Sequence, residues 1–383
     1  NGTLTQEAIT SDQTGQALNG TINEQLSDLS GINFRNNLVF RHSFAKRGRT
    51  ISLRLQNSYL KNDGLTGLDA INIFSSPVEA DTLEQETTSF SLQKSIDGRV
   101  TFADRLGDKW QWQLSQGYAR TWNEAEDYNY NLLEGTRELN PNLSNVFDNS
   151  YTTFTSSLGL SRRGEKGFFR AAIDYQHAEL ASEQLFPDTG NLSRTYNNIL
   201  PSVFGRIRMS KSKNLRFFYR TSTNAPSIGQ LQNVVDNTNP IILTTGNPEL
   251  DQAYSHRAVL RYSSVNTDKA NSIYAYISMQ HSVDYIANET IIAENEDIQV
   301  GDIIVRRGSQ LTRPVNIDGY WNVSSLFTYS VPSGFFKSIF NLNFGVTYQK
   351  IPGLINSQLN ESENYGLNAG LVLASNISER VDF

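Results

Sequence analysis

Polar and apolar side chains alternate with a period of two along this chain, over stretches longer than the roughly 5 to 6 residues of a typical soluble strand. The clearest stretch runs from Phe336 to Tyr348, where Leu342 and Phe344 fall on one face and Asn343 falls on the other. Further stretches of this kind lie at 51–59, 169–175, 271–284, 321–331 and 364–373. Successive side chains of a strand point to opposite faces, so we predict long β-strands with one apolar and one polar face.

The composition favours strands and excludes several kinds of site. The 383 residues include 17 Tyr, 20 Phe and 4 Trp, and aromatic residues are enriched in strands. The chain has no cysteine, which excludes disulfides, thiolate metal sites and cysteine nucleophiles. Its 4 histidines lie far apart without a metal-binding spacing, so we predict no metal site and no cofactor.

Charge and hydropathy narrow the class of protein further. The net charge of -6 disfavours binding through phosphate contacts, and we predict no nucleic-acid partner. The mean hydropathy is -0.44, and no apolar run approaches the roughly 20 residues of a helical membrane span. A membrane β-barrel is compatible with this value, because every second residue of a barrel strand faces a polar interior.

The segments between the predicted strands are of two kinds that alternate along the chain. Short turns lie at 46–49, 105–108, 163–166, 211–213, 266–269, 332–334 and 376–379. Long polar stretches lie at 61–87, 123–149, 183–195, 225–252, 285–318 and 351–360. Outer-membrane barrels have short periplasmic turns and longer extracellular loops. We therefore predict an all-β fold, an antiparallel transmembrane β-barrel in the lipid of the bacterial outer membrane, rather than a soluble solenoid or propeller with an aromatic core.

The predicted barrel covers residues 1–383 as a single region. Counting the strands on either side of the seven short turns gives about 14. Each would have about 11 to 15 residues, more than the roughly 9 to 11 that cross a bilayer. The chain begins with a polar stretch to residue 30, which we predict to be a loop, and it stops shortly after a turn. We interpret the region as incomplete at both ends, part of a larger barrel of about 22 strands with no recognisable plug domain.

Aromatic residues near the predicted strand ends fit the interfacial girdles of such barrels. They are Trp110, Trp112, Trp122, Phe168, Tyr320, Trp321 and Phe335. We predict that these side chains point outward at the membrane surfaces.

One segment of the chain resembles a known family. Residues 214–231 read NLRFFYRTSTNAPSIGQL, with Pro226 and Ser227 near the end, and Gly246, Asn247 and Pro248 follow. This combination resembles the barrel portion of TonB-dependent outer-membrane receptors, most closely the Bacteroidetes proteins with regulatory-like N-terminal domains. Two places depart from the family pattern: residue 224 is Asn where Arg is common, and the segment 251–253 replaces a basic residue, Pro and Glu. The resemblance implies a loop geometry and a fold, and it says little about substrate.

The resemblance also implies a function. Such a receptor binds an extracellular ligand with its long loops and imports it, with a TonB-type energy-coupling protein and a surface lipoprotein as expected partners. The alternative is a non-transporting outer-membrane scaffold or surface-assembly barrel, because no plug is recognisable. The sequence has no nucleophile elbow, phosphate loop or zinc signature, so we predict that the chain is not an enzyme.

A set of arginines is the candidate binding site. If Ile207, Leu215, Phe217 and Leu260 face lipid, strand parity places six arginines on the opposite, lumenal face. These are Arg206, Arg208, Arg216, Arg220, Arg257 and Arg261. They would attract anionic solutes or pair with acidic groups of a plug or an inward loop. The alternative is dispersed, hydrated charge in a wide polar lumen.

Two acidic runs, at 124–127 and 294–297, lack the spacing of a calcium loop. We interpret them as solvated charge.

Overall fold

A computed structural model describes residues 2–11, 17–75, 78–133, 135–187, 189–231, 235–236, 239, 241–301, 303–334, 338–378 and 381–382. Nearly all of these residues lie in β-strands, which form one 19-stranded sheet and a separate two-stranded sheet. Within this part of the chain, no helix is long and apolar enough to cross a membrane.

The strands follow one another along the chain with little other structure between them. They are β1 Gly2–Ser11, β2 Ala17–Ser43, β3 Thr50–Ser75, β4 Val78–Leu106, β5 Trp110–Leu133, β6 Thr136–Leu139, β7 Asn145–Gly164, β8 Gly167–Phe186, β9 Gly190–Arg208, β10 Lys213–Asn224, β11 Ile242–Thr244, β12 Ala253–Asn266, β13 Asn271–Val283, β14 Tyr285–Ile292, β15 Ile298–Val300, β16 Ile303–Val305, β17 Gln310–Ile317, β18 Tyr320–Ser333, β19 Ser338–Ile355, β20 Gln358–Ser378 and β21 Val381–Asp382. A four-residue helix, α1, spans Ile228–Leu231, and a 3-10 turn spans Pro141–Leu143.

Fourteen strands form a continuous antiparallel wall, which confirms the predicted barrel architecture. In order they are β1, β2, β3, β4, β5, β7, β8, β9, β10, β12, β13, β18, β19 and β20. In the described part of the chain, no pairing joins β1 to β20, so the wall has two free edges.

The strands are much longer than predicted, and several predicted loops are wrong. Strands β2, β3 and β4 have 27, 26 and 29 residues. Their pairing runs through the supposed loop 61–87, and β1 pairs with β2 inside the supposed loop that ends at residue 30. Above a membrane both faces of a strand meet water, so polar residues occupy both faces and alternation fades. Backbone pairing needs no alternation, so the strands continue.

An apolar band covers the outer face of the wall. Leu342, Phe344 and Val346 on β19 expose 47, 48 and 38% of their surface, and Phe344 is paired with Phe327 of β18. On the opposite face, Asn343 accepts a hydrogen bond of 2.8 Å from Thr328. An apolar band on the outside of the wall and a hydrogen-bonded polar face inside are the arrangement that a lipid solvent requires.

All four tryptophans lie on the outer face. Trp112 and Trp122 are ten positions apart on β5, whose pairing with β4 has no irregularity between them. Ten residues extend about 33 Å along a strand. At a strand tilt of about 40° this length spans about 25 Å, which matches the height of the apolar band in outer-membrane barrels. The two residues therefore mark the two membrane surfaces.

Two members of the predicted girdle were assigned to the wrong face. Phe168 is paired with Arg206 on the inner face. Tyr320, paired with Ser282, also points inward and stacks on Tyr285 with ring centroids 4.3 Å apart. Each has a neighbour in sequence, Phe169 or Trp321, that takes the outer face, because adjacent residues of a strand point to opposite sides. Phe335 lies outside the described residues.

We expect Phe344→Arg to impair folding in a membrane far more than Asn343→Arg. An arginine on the lipid face near the bilayer midplane costs about 2 to 4 kcal/mol, whereas one on the inner face remains hydrated. Folding yield and urea stability in phospholipid vesicles measure the difference. Equal effects of the two substitutions would show that the face assignment is wrong.

Candidate functional site

The loop that carries the family motif folds inward between β10 and β12. The five motif residues come together around α1 and β17. The backbone N–H of Asn247 donates to the carbonyl oxygen of Gln230 at 2.6 Å. Its side-chain Nδ2 donates to the carbonyl oxygen of Pro314 at 3.0 Å. Ser227 immediately precedes α1, and its backbone N–H donates to Oε1 of Gln230 at 2.9 Å. Pro226 and Gly246 are buried beside them. These hydrogen bonds stabilise the fold of the loop.

An apolar anchor holds the motif loop against the inner face of the wall. Leu250 is 1% exposed and packs with Leu180 of β8 and Leu231 of α1. Next to it, Gln252 accepts a hydrogen bond of 2.9 Å from Asn198 and donates one to the hydroxyl oxygen of Tyr151. Gln252 is one of the residues that depart from the family pattern, and here it joins the loop to two wall strands.

The segment 285–318, predicted to be a loop, is a hairpin of β14 and β17 with its own small core. Leu243, Ala293, Val305 and Leu311 are buried together, so the motif loop and the hairpin share one apolar cluster. Glu289, which is 2% exposed, receives hydrogen bonds from Arg313 at 2.8 Å and from Ser357 at 2.9 Å. The motif loop and this hairpin form one packed unit, called here the loop cap.

A polar chamber of about 550 Å³ lies between the loop cap and the inner face of the wall. Its lining includes Thr66, Gln85, Thr87, Asp127, Asn129 and Asn145 from the wall, and Gln230, Asp236, Thr244, Thr245, Gly246, Asn288, Thr312 and Arg313 from the cap. The chamber lies above the level of Trp122, so it is at the loop end of the barrel. The size fits a small-molecule ligand.

Some polar groups of the chamber have no hydrogen-bond partner among the residues that the structure describes. Asn129 donates to Thr87 at 2.9 Å, but its Oδ1 atom is buried with no hydrogen-bond partner, as is Oγ1 of Thr245. Burial also raises the pKa of the Asp127 carboxyl. A buried acceptor without a partner costs free energy, so the chamber is suited to a ligand that donates hydrogen bonds.

No sequence motif or pattern identifies these chamber residues. They come from strands and loops distributed over residues 66–314, and each is an ordinary polar residue on the inner face of a strand or in a loop. Only the inward fold of the loop cap brings them together.

The six predicted arginines lie on the inner face, as strand parity indicated. Arg216 is directly opposite Arg206 of β9 and Arg261 of β12, and Arg220 is opposite Arg257. The pairing of β10 with β12 runs from Lys213 to Asn224 without a bulge, so the parity holds along the strand. Five of the six line one cavity of about 850 Å³ near the short turns, called here the arginine cavity, and Arg220 lies above it.

The acidic runs do not form a metal site in the described part of the chain, which holds no group of three or more potential metal ligands. Glu124 is 3.4 Å from Lys94, and Glu294 and Glu296 are exposed. The histidines His256 and His281 stack in the outer row that ends at Trp321.

No curated protein sequence matches this chain. Residues 42–382 match the model of the outer membrane protein beta-barrel family. The chain belongs to this family. Its place is therefore the bacterial outer membrane.

One solved structure supports the fold, and two further structures resemble the chain more distantly. The copper transporter OprC is 12% identical, with a TM-score of 0.52 over 96% of this chain and 58% of its own. The alcaligin outer-membrane receptor FauA from Bordetella pertussis is 8% identical, with a TM-score of 0.39 over 98% of this chain and 71% of its own. The ferric citrate transporter FecA is 9% identical, with a TM-score of 0.39 over 99% and 66%. This chain thus spans little more than half the length of OprC.

We expect Leu250→Ala to release the motif loop from the wall. A buried Leu→Ala change costs about 2 to 5 kcal/mol, and every 1.4 kcal/mol is a factor of about ten in an equilibrium. Amide hydrogen exchange within 226–252 should therefore accelerate at least about tenfold. Glu249→Ala is the control, since Glu249 is exposed. Unchanged exchange in Leu250→Ala would show that Leu250 does not anchor the loop.

Proposed function

We propose that this protein is an outer-membrane receptor that binds a small extracellular ligand in the loop-end chamber and imports it. The observation that carries the proposal is the loop cap, which folds inward over a polar chamber. Two buried oxygen atoms of this chamber have no hydrogen-bond partner in the part of the chain that the structure describes. A bound ligand would supply these two atoms with the hydrogen bonds that buried polar groups normally make. The ligand is expected to be small, polar and rich in hydrogen-bond donors.

The proposal includes partners and a family type. The motif residues resemble those of Bacteroidetes TonB-dependent receptors, so a TonB-type energy-coupling protein and a surface lipoprotein are the expected partners. The fold neighbour OprC is a copper transporter by its description, which is in keeping with a transport role.

A non-transporting surface scaffold is the second candidate. It is favoured by Ile304, which lies on the small β15–β16 hairpin and is 61% exposed. Single exposed apolar side chains are common on protein surfaces, so this observation carries less weight than the chamber does.

We expect Asn129→Leu combined with Thr245→Val to reduce uptake. The test compares a strain that lacks the gene with strains complemented by the wild type or by the variant, and measures by mass spectrometry which solutes each removes from the medium. The wild type should deplete at least one solute in a manner that a protonophore abolishes. The double variant should slow this depletion by about tenfold, because two hydrogen bonds of about 0.5 to 1.5 kcal/mol each are lost.

The control for this experiment is Thr136→Val, at an exposed position outside the chamber lining. Equal depletion by wild type and double variant would remove the chamber from the function. Depletion that the protonophore leaves unchanged would exclude active import. No depletion by the wild type, with normal surface expression, would favour the scaffold.

The proposal places the loop cap outside the cell. A protease site inserted between Glu294 and Asn295, in an exposed part of the hairpin, should be cut on intact cells, whereas one inserted in the turn at 266–269 should be cut only after lysis. Immunoblotting of whole and lysed cells measures both. The opposite result would invert the topology. The motif-loop position Asn237, also a natural site for a tag, lies outside the described residues.

A further inference from the structure

One row of residues on the inner face crosses six adjacent wall strands, and five of its six members line the arginine cavity. From β7 to β13 the row reads Arg163, Phe168, Arg206, Arg216, Arg261 and Tyr276, each directly opposite the next. Directly opposed residues of antiparallel strands have side chains on the same face, about 4.5 to 5.5 Å apart. Four guanidinium groups and two aromatic rings therefore share one level of the inner face.

The outer members of the row have partners and the central ones do not. The guanidinium of Arg163 lies 5.8 Å from the ring centre of Phe168, and that of Arg261 lies 5.2 Å from the ring centre of Tyr276. For Arg206 and Arg216, the described part of the chain supplies neither a ring in such a position nor a carboxylate within ion-pair distance. Like charges directly opposite each other destabilise a sheet. An anion bound between Arg206 and Arg216 would relieve this repulsion.

An apolar floor lies beside the charged row. The next row along the strands contains Phe204, Phe218 and Val259, and the rings of Phe168 and Phe204 are 5.8 Å apart. Among the described residues that line the cavity, Glu165 is the only acid. The cavity thus combines a cationic wall with an aromatic surface.

We infer that the arginine cavity binds an organic anion that carries two or more acidic groups on an apolar body. Guanidinium groups bind carboxylate or phosphate through paired hydrogen bonds, and the neighbouring arginines would bind two such groups at once. The phenylalanine rings would contact the apolar body. A volume of about 850 Å³ fits a ligand of drug-like size. The site is at the short-turn end, away from the loop-end chamber, and does not depend on the proposed import.

Chemical modification of the arginines tests this inference. The full-length protein, purified in detergent, is treated with phenylglyoxal at constant ionic strength, and mass spectrometry measures the modified fraction of Arg206 and Arg216. The probe is benzene-1,3,5-tricarboxylate, compared with inorganic phosphate and with the uncharged benzene-1,3,5-trimethanol. We expect the tricarboxylate to protect both arginines, phosphate to protect them at higher concentration, and the neutral compound not to protect them. Arg47, in an exposed turn, should react equally throughout.

Two variants test separately what the arginines and the phenylalanine rings contribute to binding. Arg261→Gln should weaken protection of Arg206 and Arg216 by both anions about tenfold, the scale of one lost charge-assisted hydrogen bond. Phe218→Ala should weaken protection by the tricarboxylate and leave protection by phosphate unchanged. Equal effects of Phe218→Ala on the two anions would overturn the assignment of an apolar body.

Two results would overturn the site itself. One is that Arg206 and Arg216 react with phenylglyoxal to the same extent at every anion concentration. The arginines would then be hydrated charges that bind no anion. The other is complete protection before any anion is added, with release only on denaturation. In that case acidic side chains of the protein would occupy the cavity, and no organic anion would bind there.

Discussion

The structure depends on one constraint, which is that a chain in lipid must satisfy its own backbone hydrogen bonds. The hydrocarbon core offers no donor or acceptor, so each wall strand has to pair with neighbours along its whole crossing. The pairing from β2 to β20 has no bulge inside the band between Trp112 and Trp122, which is the part that meets lipid. With the backbone fixed in this way, each side chain points either to the outer or to the inner face of the wall. Strand parity then decides which residues meet lipid and which line the interior.

Above the membrane water can satisfy backbone hydrogen bonds, so this constraint does not apply. The chain there adopts two kinds of structure. The strands β2, β3 and β4 continue as paired strands with polar residues on both faces. Elsewhere the chain leaves the wall, and the motif loop and the β14–β17 hairpin turn inward around buried apolar residues such as Leu243 and Leu311. The chamber exists because the loop cap has a core of its own. Because the cap has this core, it does not need to pack against the wall along its whole length. Leu250 provides one contact with the wall, through Leu180.

Much of the wall could be predicted from the sequence, because period two is a direct consequence of strand geometry. Alternation alone placed Leu342 outside, Asn343 inside and the six arginines on a common face. The girdle assignment, which rested on aromatic residues near strand ends, failed for Phe168 and Tyr320. At each of these sites two neighbouring residues are aromatic, and residue type cannot show which of them faces outward. Alternation failed for 61–87, where water on both faces removes the pattern but leaves the strand. The chamber could not be predicted, because contacts such as that of Asn247 with Pro314 join segments far apart in the chain.

The register that aligns the arginines is itself fixed from the lipid side. Gly205 is opposite Phe217, and a Cβ atom at position 205 would lie only 2.1 Å from the Phe217 ring. The ring therefore lies over the glycine, and a side chain at position 205 would have to displace it. A slip of one residue between β9 and β10 would move this ring onto a residue with a side chain and would turn Arg216 toward lipid, where an unpaired arginine is costly. Contacts on the outer face thus favour the register in which Arg206 is opposite Arg216. The repulsion between the two arginines is a consequence of that register.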